Sequence, residues 1–293
     1  MIGTSKGFVM RLRRIRLTIA LFSMLLAAAG IHGQPAQKEA QKPYEPQVGQ
    51  QGKDVVWVPT SDALVEKMLD LAQVTQKDYV IDLGSGDGRT VIAAAKRGAR
   101  ALGVEYNPEM VALSKRKAMA AGVSGRATFL KADLFTVDLS KATVITMFLL
   151  PEINMKLRPK LLDLKPGTRI VSNSFSMEDW QADQTETVGG EDCSSWCTAL
   201  FWIVPAKVEG TWRLAEGTLV LSQKFQTFSG TLDGKPIADG RLQGDELTFK
   251  VGAAQYSGRV NANSITGTFV ANGTSHAWTA HRAEPLQPRR SAG

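Results

Sequence analysis

The sequence predicts a doubly wound α/β sheet followed by a small all-β sandwich or barrel domain, and three observations carry that prediction. Between residues 79 and 205, short apolar runs alternate with stretches of helical periodicity, as in parallel strands joined by right-handed crossovers. The first of these runs ends in a glycine-rich turn, Gly84-Ser85-Gly86-Asp87-Gly88, that opens a helix. After residue 208 the helical pattern stops, and glycines divide β-type segments about every 8–12 residues.

The elements follow in order. Residues 55–58 form a short apolar run. Ser61 or Asp62 can cap a helix whose stripe is Leu64, Val65, Met68, Leu69 and Leu71. Residues 79–83 read as a buried strand and the alanine-rich 89–97 as a helix. Residues 101–104 are a second strand. Residues 107–121 are a helix, with Asn107 as its cap and Pro108 at the first helical position, where the missing N–H costs nothing. Residues 127–130 and 143–149 are the third and fourth strands, and 152–164 a helix. Strands at 169–174 and 200–204 complete the sheet. Beyond the boundary near Pro205, residues 219–221, 247–249 and 266–269 read as strands of the β-domain. Its aromatics, Trp212, Phe225, Phe228, Phe249, Tyr256, Phe269 and Trp278, alternate with polar residues and are read as its core.

The formal charge of the chain is +7, but five of its basic residues, Lys6, Arg11, Arg13, Arg14 and Arg16, lie in the first 33 positions with no acid among them. The basicity therefore belongs mainly to the leader, and no nucleic-acid partner is expected. An apolar stretch follows at 17–31, then small residues, then a Gln/Pro/Lys-rich segment. This is the composition of a signal peptide over 1–33, with export to the periplasm or outside the cell. The alternative is an uncleaved anchor, and membrane association is expected only through this segment. Residues 34–54 are read as a disordered linker, 55–205 as the α/β domain, 206–283 as the all-β domain and 284–293 as a disordered tail. The two cysteines, Cys193 and Cys197, are read first as a local disulfide and second as free thiols. Two thiols do not complete a tetrahedral metal shell, and His276 and His281 are distant in sequence, so no metal site is expected.

The chemistry concentrates in Asp82-Leu83-Gly84-Ser85-Gly86-Asp87-Gly88-Arg89. A strand, a glycine turn and a helix N-terminus form the general nucleotide site of an open α/β sheet. The glycines are spaced Gly-x-Gly-x-Gly, not Gly-x-Gly-x-x-Gly, and acids stand at Asp82 and Asp87. A pyrophosphate would be repelled there, whereas a ligand carrying an ammonium and a sulfonium would be favoured. Glu105, at the end of the second strand, can accept both hydroxyls of a ribose. Asp133 follows the third strand.

This pattern resembles motif I of class I S-adenosylmethionine-dependent methyltransferases, which implies a Rossmann-like methyltransferase sheet with S-adenosyl-L-methionine as cofactor. Further residues narrow the likeness: Trp57-Val58-Pro59-Thr60, then residues 142–151 ending Phe148-Leu149-Leu150-Pro151, then Leu157-Arg158-Pro159-Lys160 and Lys165-Pro166-Gly167-Thr168. Over about residues 56–183 the chain is similar to the small protein-lysine methyltransferases of mitochondria and bacteria. Mitochondrial members modify the ATP synthase c-subunit and the adenine nucleotide translocase. More distantly it resembles the non-SET histone-lysine methyltransferases of the telomeric-silencing type.

The resemblance implies that Asp82, Gly84, Ser85, Gly86, Asp87, Gly88, Glu105 and Asp133 bind the cofactor, Asp133 at the adenine amine. Pro59 and Thr60 would lie over its methionine end. Asn/Asp-Pro-Pro-aromatic, the motif of amino-methylating enzymes acting on DNA or glutamine, is absent after the fourth strand. Phe148 and Leu149 are read equally as core or as a wall of the acceptor channel. The expected acceptor is a protein lysine; a small-molecule acceptor and an exported, catalytically silent binding protein are the alternatives. No residue is assigned a catalytic role.

Overall fold

The computed structural model describes residues 44–215 and 217–284. The expected leader over 1–33, residues 34–43 of the expected linker and residues 285–293 of the expected tail lie outside the described residues.

The first helix among the described residues is α1 (Asp62–Leu71), capped by the Ser61 side chain, which accepts from the Leu64 amide. There follow β1 (Tyr79–Leu83), α2 (Arg89–Lys96), β2 (Arg100–Glu105), α3 (Pro108–Ala120), β3 (Ala127–Lys131), β4 (Val144–Met147), α4 (Pro151–Leu162), β5 (Arg169–Asn173), β6 (Gln184–Thr187) and β7 (Thr198–Ile203). Asn107 caps α3 by accepting from the Glu109 amide at 2.9 Å, as its position ahead of Pro108 predicts.

These strands form one sheet in the order β3-β2-β1-β4-β5-β7-β6. From β3 to β5 neighbouring strands are parallel, and β7 pairs antiparallel with both β5 and β6. Alternation along the strands sorts their side chains to two faces. Val80, Val144 and Val171 pack with Leu64, Val65 and Leu69 of α1 and with Val91 of α2. Ile81, Leu83, Ile145, Met147 and Ile170 pack with Leu157 and Leu161 of α4. The strand order reverses beside β1, whose carboxyl end therefore faces an open crevice.

Two sequence expectations change here. The sheet gains β6, which every residue of its Gln-Thr-Glu-Thr sequence leaves exposed, so no apolar pattern announced it. The expected disorder over 34–54 is corrected for residues 44–54: Gly49 donates to Trp57 O at 2.8 Å, Trp57 donates back to Gln50 O at 2.9 Å, and Gln51 bridges Val56. Those backbone pairs fold the polar segment back on itself without an apolar stripe of its own, and Lys53 ties it to Asp133.

The remaining strands, β8 (Gly210–Leu214), β9 (Gly217–Lys224), β10 (Thr227–Leu232), β11 (Lys235–Gln243), β12 (Glu246–Val251), β13 (Ala254–Asn261), β14 (Ser264–Ala271) and β15 (Thr274–Arg282), run up and down and close into a barrel when β15 pairs with β8. Eight strands give an interior just wide enough for side chains to fill. Trp212, Leu219, Phe228, Leu247, Phe249, Ile265 and Trp278 fill it here. Gly258 and Gly267 face each other across β13 and β14; a Cβ on Gly267 would stand 1.9 Å from Ser257 O. Of the aromatics expected in this core, Phe225 is the exception. Placed at the β9–β10 turn, it stacks on the fully buried Trp180 of the α/β domain at 5.9 Å. Gln226 donates to Gln181 O beside it at 2.8 Å, and Arg241 pairs with Asp183 at 2.9 Å. The barrel is thereby seated on the α/β domain beside β5 and β7.

Candidate functional site

A cavity of about 1080 Å³, its open mouth included, lies at the carboxyl ends of β1, β2 and β4. Pro59, Thr60, Asp82, Gly84, Ser85, Gly86, Asp87, Glu105 and Asp133 all line it. Gly88 does not; it supports the turn from behind.

The turn is built by backbone freedom and close packing. Gly86 has φ +52° and Gly88 φ +81°, a region that strains residues with a Cβ. A Cβ on Gly88 would meet Phe129 at 2.7 Å and Ser114 at 2.8 Å, so this glycine lets α2 and α3 approach β3. A Cβ on Gly86 would meet the Trp57 indole nitrogen at 2.7 Å. Trp57 thus lies across the turn and roofs it. The Gly86 amide donates to Glu105 Oε2 at 2.9 Å, while Glu105 Oε1 accepts from the Asn107 amide at 2.8 Å. Both carboxylate oxygens are therefore oriented by backbone, and each keeps a further lone pair for a hydroxyl donor.

Asp82 is enclosed on β1. Thr146 Oγ1, on the neighbouring β4, donates to its Oδ1 at 2.6 Å. Burial pushes the Asp82 carboxyl up to about 7; the Thr146 hydrogen bond opposes the shift, and the charges of Glu105 and Asp87 add to it. A cation entering the cavity would relieve this penalty.

Asp87 differs from expectation. It is buried, but Arg89 Nη2 pairs with it at 2.9 Å and Lys117 Nζ at 2.6 Å. Burial acts to raise its pKa and is outweighed by those hydrogen bonds and charges, so the carboxyl sits below the ordinary range. Its charge is matched within the protein and ties the start of α2 to α3. Arg89 also donates to Thr60 O at 2.7 Å, and Asn173 donates to Thr60 Oγ1 at 3.1 Å, which fixes the Pro59-Thr60 turn.

Asp133 accepts from the Phe135 amide at 2.9 Å and pairs with Lys53 at 2.7 Å. The Lys53 ammonium also stands 4.9 Å from the centre of the Tyr106 ring. Lys53, Trp57 and Tyr106 are wall residues that sequence reasoning did not assign to the site. The Trp57-Val58-Pro59-Thr60 string was the one available signal.

At the opposite end, Met147, Phe148 and Leu149 leave β4 and form an apolar wall. Leu149 is buried and comes within 3.0 Å of the Cβ position at Gly84; Phe148 is half-buried and turned to other aromatics. The fourth strand is thus shorter than expected, because Phe148 and Leu149 line the cavity instead of continuing the sheet. Cys193 and Cys197 are joined in a disulfide, with Cα atoms 5.8 Å apart.

The residues fit S-adenosylmethionine on three counts. Apart from Asp87, matched by Arg89 and Lys117, four carboxylates line the cavity (Asp54, Asp82, Glu105 and Asp133) against the one further lining cation Lys53, which suits a positively charged ligand. Ser85 Oγ is buried with no hydrogen-bond partner, a donor and acceptor left for something else. The glycine turn keeps the floor free of side chains.

The chain is similar to several known methyltransferases. A family described as the ANTKMT methyltransferase domain matches residues 82–184. A protein-lysine N-methyltransferase of Saccharolobus islandicus is 43% identical over 153 residues, covering 51% of this chain and 94% of that protein. The ATP synthase c-subunit lysine N-methyltransferase of Mus musculus is 37% identical over 134 residues, 45% of this chain and 54% of its own length; the chain spans about half of that relative. Among solved structures, an RNA methyltransferase from Salinibacter ruber in complex with S-adenosyl-L-homocysteine shares 43% identity over 52% of this chain and 96% of its own, with a TM-score of 0.48.

Proposed function

The chain belongs to the family of S-adenosylmethionine-dependent methyltransferases that includes the Saccharolobus protein-lysine N-methyltransferase, and from that membership we propose that it methylates the side-chain amine of a protein lysine. The observation that carries the proposal is 43% identity extending over 94% of a relative bearing that name. The cavity supports it, since the glycine turn, Asp82, Asp87, Glu105, Asp133 and the apolar wall all lie within the family-matched residues 82–184.

When bound, S-adenosylmethionine supplies a methyl group activated by a positively charged sulfur. Glu105 would hold the ribose hydroxyls, and Asp133 the adenine end once Lys53 yields to it. Asp82 and Ser85 would face the charged methionine end beneath Pro59 and Thr60. Methyl transfer to an amine needs the amine neutral and in line, so orientation provides most of the rate. Met147 and Leu149, apolar and beside the cofactor turn, shed water from the amine as it arrives and disfavour its charged form there.

Incubating the full chain with methyl-tritiated S-adenosylmethionine tests the acceptor, with poly-L-lysine and fractionated cellular protein as acceptors, followed by hydrolysis and amino-acid separation. Label in mono-, di- or trimethyllysine is expected. Label confined to small molecules, or to residues other than lysine, would contradict the proposal.

Export through the N-terminal leader belongs to the same proposal. Its support is the basic-then-apolar composition of residues 1–33 and a disulfide of the kind that oxidising compartments maintain. A mature N-terminus near residue 34 by intact mass is expected; a full-length or merely Met-trimmed chain would contradict cleavage.

A further inference from the structure

Three aromatic rings meet beside the apolar end of the cavity. Phe148, directly after β4, stacks on Phe175, just after β5, with ring centres 5.9 Å apart. Trp196, just ahead of β7, completes the triangle, 5.1 Å from Phe175 and 6.2 Å from Phe148. Since β7 runs antiparallel to β5, with Ala199 opposite Asn173, all three lie at the same edge of the sheet. Phe148 itself lines the cavity, so the cluster is continuous with it.

Trp196 is not core. It is 47% exposed, an unusual cost for the largest apolar side chain. Its backbone has φ +57°, a region that a bulky residue rarely adopts. Two devices hold it there. Cys193 and Cys197 close a five-residue ring around it, and the ring is tied to the sheet where Val188 donates to Cys197 O at 2.9 Å and Ser174 donates to Thr198 O at 2.7 Å. Conformational constraint placed on an exposed aromatic is what a binding surface needs. The flanking sequence is one-sided in charge: residues 186–198 contain Glu186, Glu191 and Asp192 and no lysine or arginine.

We propose that Phe148, Phe175 and Trp196 form the acceptor subsite, which receives the alkylammonium end of the substrate lysine by cation–π attraction, and that the Cys193–Cys197 ring is the device that positions Trp196 for it. The proposal rests on the lysine reading above. Aromatic faces attract ammonium groups whether or not they carry methyls, so the subsite also accepts the partly methylated lysine between successive transfers. Cys193 and Cys197 act through Trp196 and are positioning residues.

The test uses the full chain saturated with S-adenosylhomocysteine. It is titrated with Nα-acetyl-Nε-trimethyllysine amide and with the neutral isostere in which carbon replaces the quaternary nitrogen. The wild type is expected to bind the cation roughly 2- to 30-fold more tightly than its isostere. Trp196→Ala should abolish that preference, Trp196→Phe should restore part of it, and the Cys193→Ser/Cys197→Ser pair should reduce it. Affinity for S-adenosylhomocysteine should stay within about twofold throughout, which shows each variant is folded. Equal binding of the two probes by wild type, absence of binding at millimolar concentration, or a preference kept in Trp196→Ala would overturn the subsite. Failure of the lysine reading is registered separately, by the absence of labelled methyllysine with the wild-type protein.

Discussion

Thr146 Oγ1 donates a 2.6 Å hydrogen bond to the carboxylate of Asp82, from one parallel strand to its neighbour at the floor of the cofactor cavity. It is a single neutral donor against a burial that lifts the Asp82 carboxyl to about 7. The fold therefore carries a partly satisfied acid at the place where a cationic ligand is to sit.

The pH dependence of stability follows from that acid. An unfolded aspartate titrates near about 3.9, so the folded protein holds this proton more tightly than the unfolded chain. The contribution of Asp82 to stability is thus greatest below about pH 4 and declines as pH rises to about 7, by at most about 4 kcal/mol. Asp82→Asn should flatten the decline: the unliganded variant melts higher than wild type above pH 7 and comparably near pH 4. Thermal melts across that range check it, and the same variant should lose at least about tenfold in S-adenosylmethionine affinity.

Asp87 titrates in the opposite sense. Its folded pKa is lowered by Arg89 and Lys117, so its stabilising contribution is present above about pH 4 and is lost as pH falls through the folded value. Asp87→Asn leaves two cations facing each other across a buried site. Because Lys117 is 44% exposed, the loss is below that of a fully buried pair, about 1–3 kcal/mol. Urea unfolding at pH 7 measures it.

Gly86 and Gly88 should separate binding from stability. Gly88→Ala forces a Cβ into Phe129 and Ser114, and should lower stability by about 1–3 kcal/mol. Gly86→Ala pushes instead against the half-buried Trp57, which can swing away, so cofactor affinity should fall more than the melting temperature. Parallel melts and calorimetric titrations of the two variants distinguish these effects.

Lys53 bridges the residue 44–54 strap to Asp133. Exposed ion pairs contribute little, so Lys53→Ala should leave the melting temperature unchanged and alter cofactor affinity by no more than about fivefold, with the difference shrinking in high salt. Stopped-flow release of S-adenosylhomocysteine at two ionic strengths measures this.

The sequence disclosed what is local. The apolar run of β1, the glycine turn and the Asn107-Pro108 helix start are contiguous signals, and the structure places them as read. Glu105 and Asp133 were reachable because each ends or follows a strand of a known order. Contacts between distant residues stayed hidden: Lys53 and Asp133 are 80 residues apart, and nothing near either announces the other. Asp87 shows its charge in sequence but not Lys117, 30 residues on, that neutralises it. Nothing in the sequence singled out Trp196, one of three residues between Cys193 and Cys197, because its ring partners follow other strands. The glycine rhythm of the β-domain gave its class, whereas closure depends on β15 meeting β8 across the whole domain.

The central claim is that the cavity between Trp57, Asp82 and Glu105 holds S-adenosylmethionine. Calorimetric titration of that cofactor into the wild-type chain and into folded Glu105→Gln tests it most directly. Saturable binding at one site, weakened at least about tenfold by the substitution, is the predicted result. No heat from the wild type at millimolar cofactor, or equal affinity in both proteins, would contradict it.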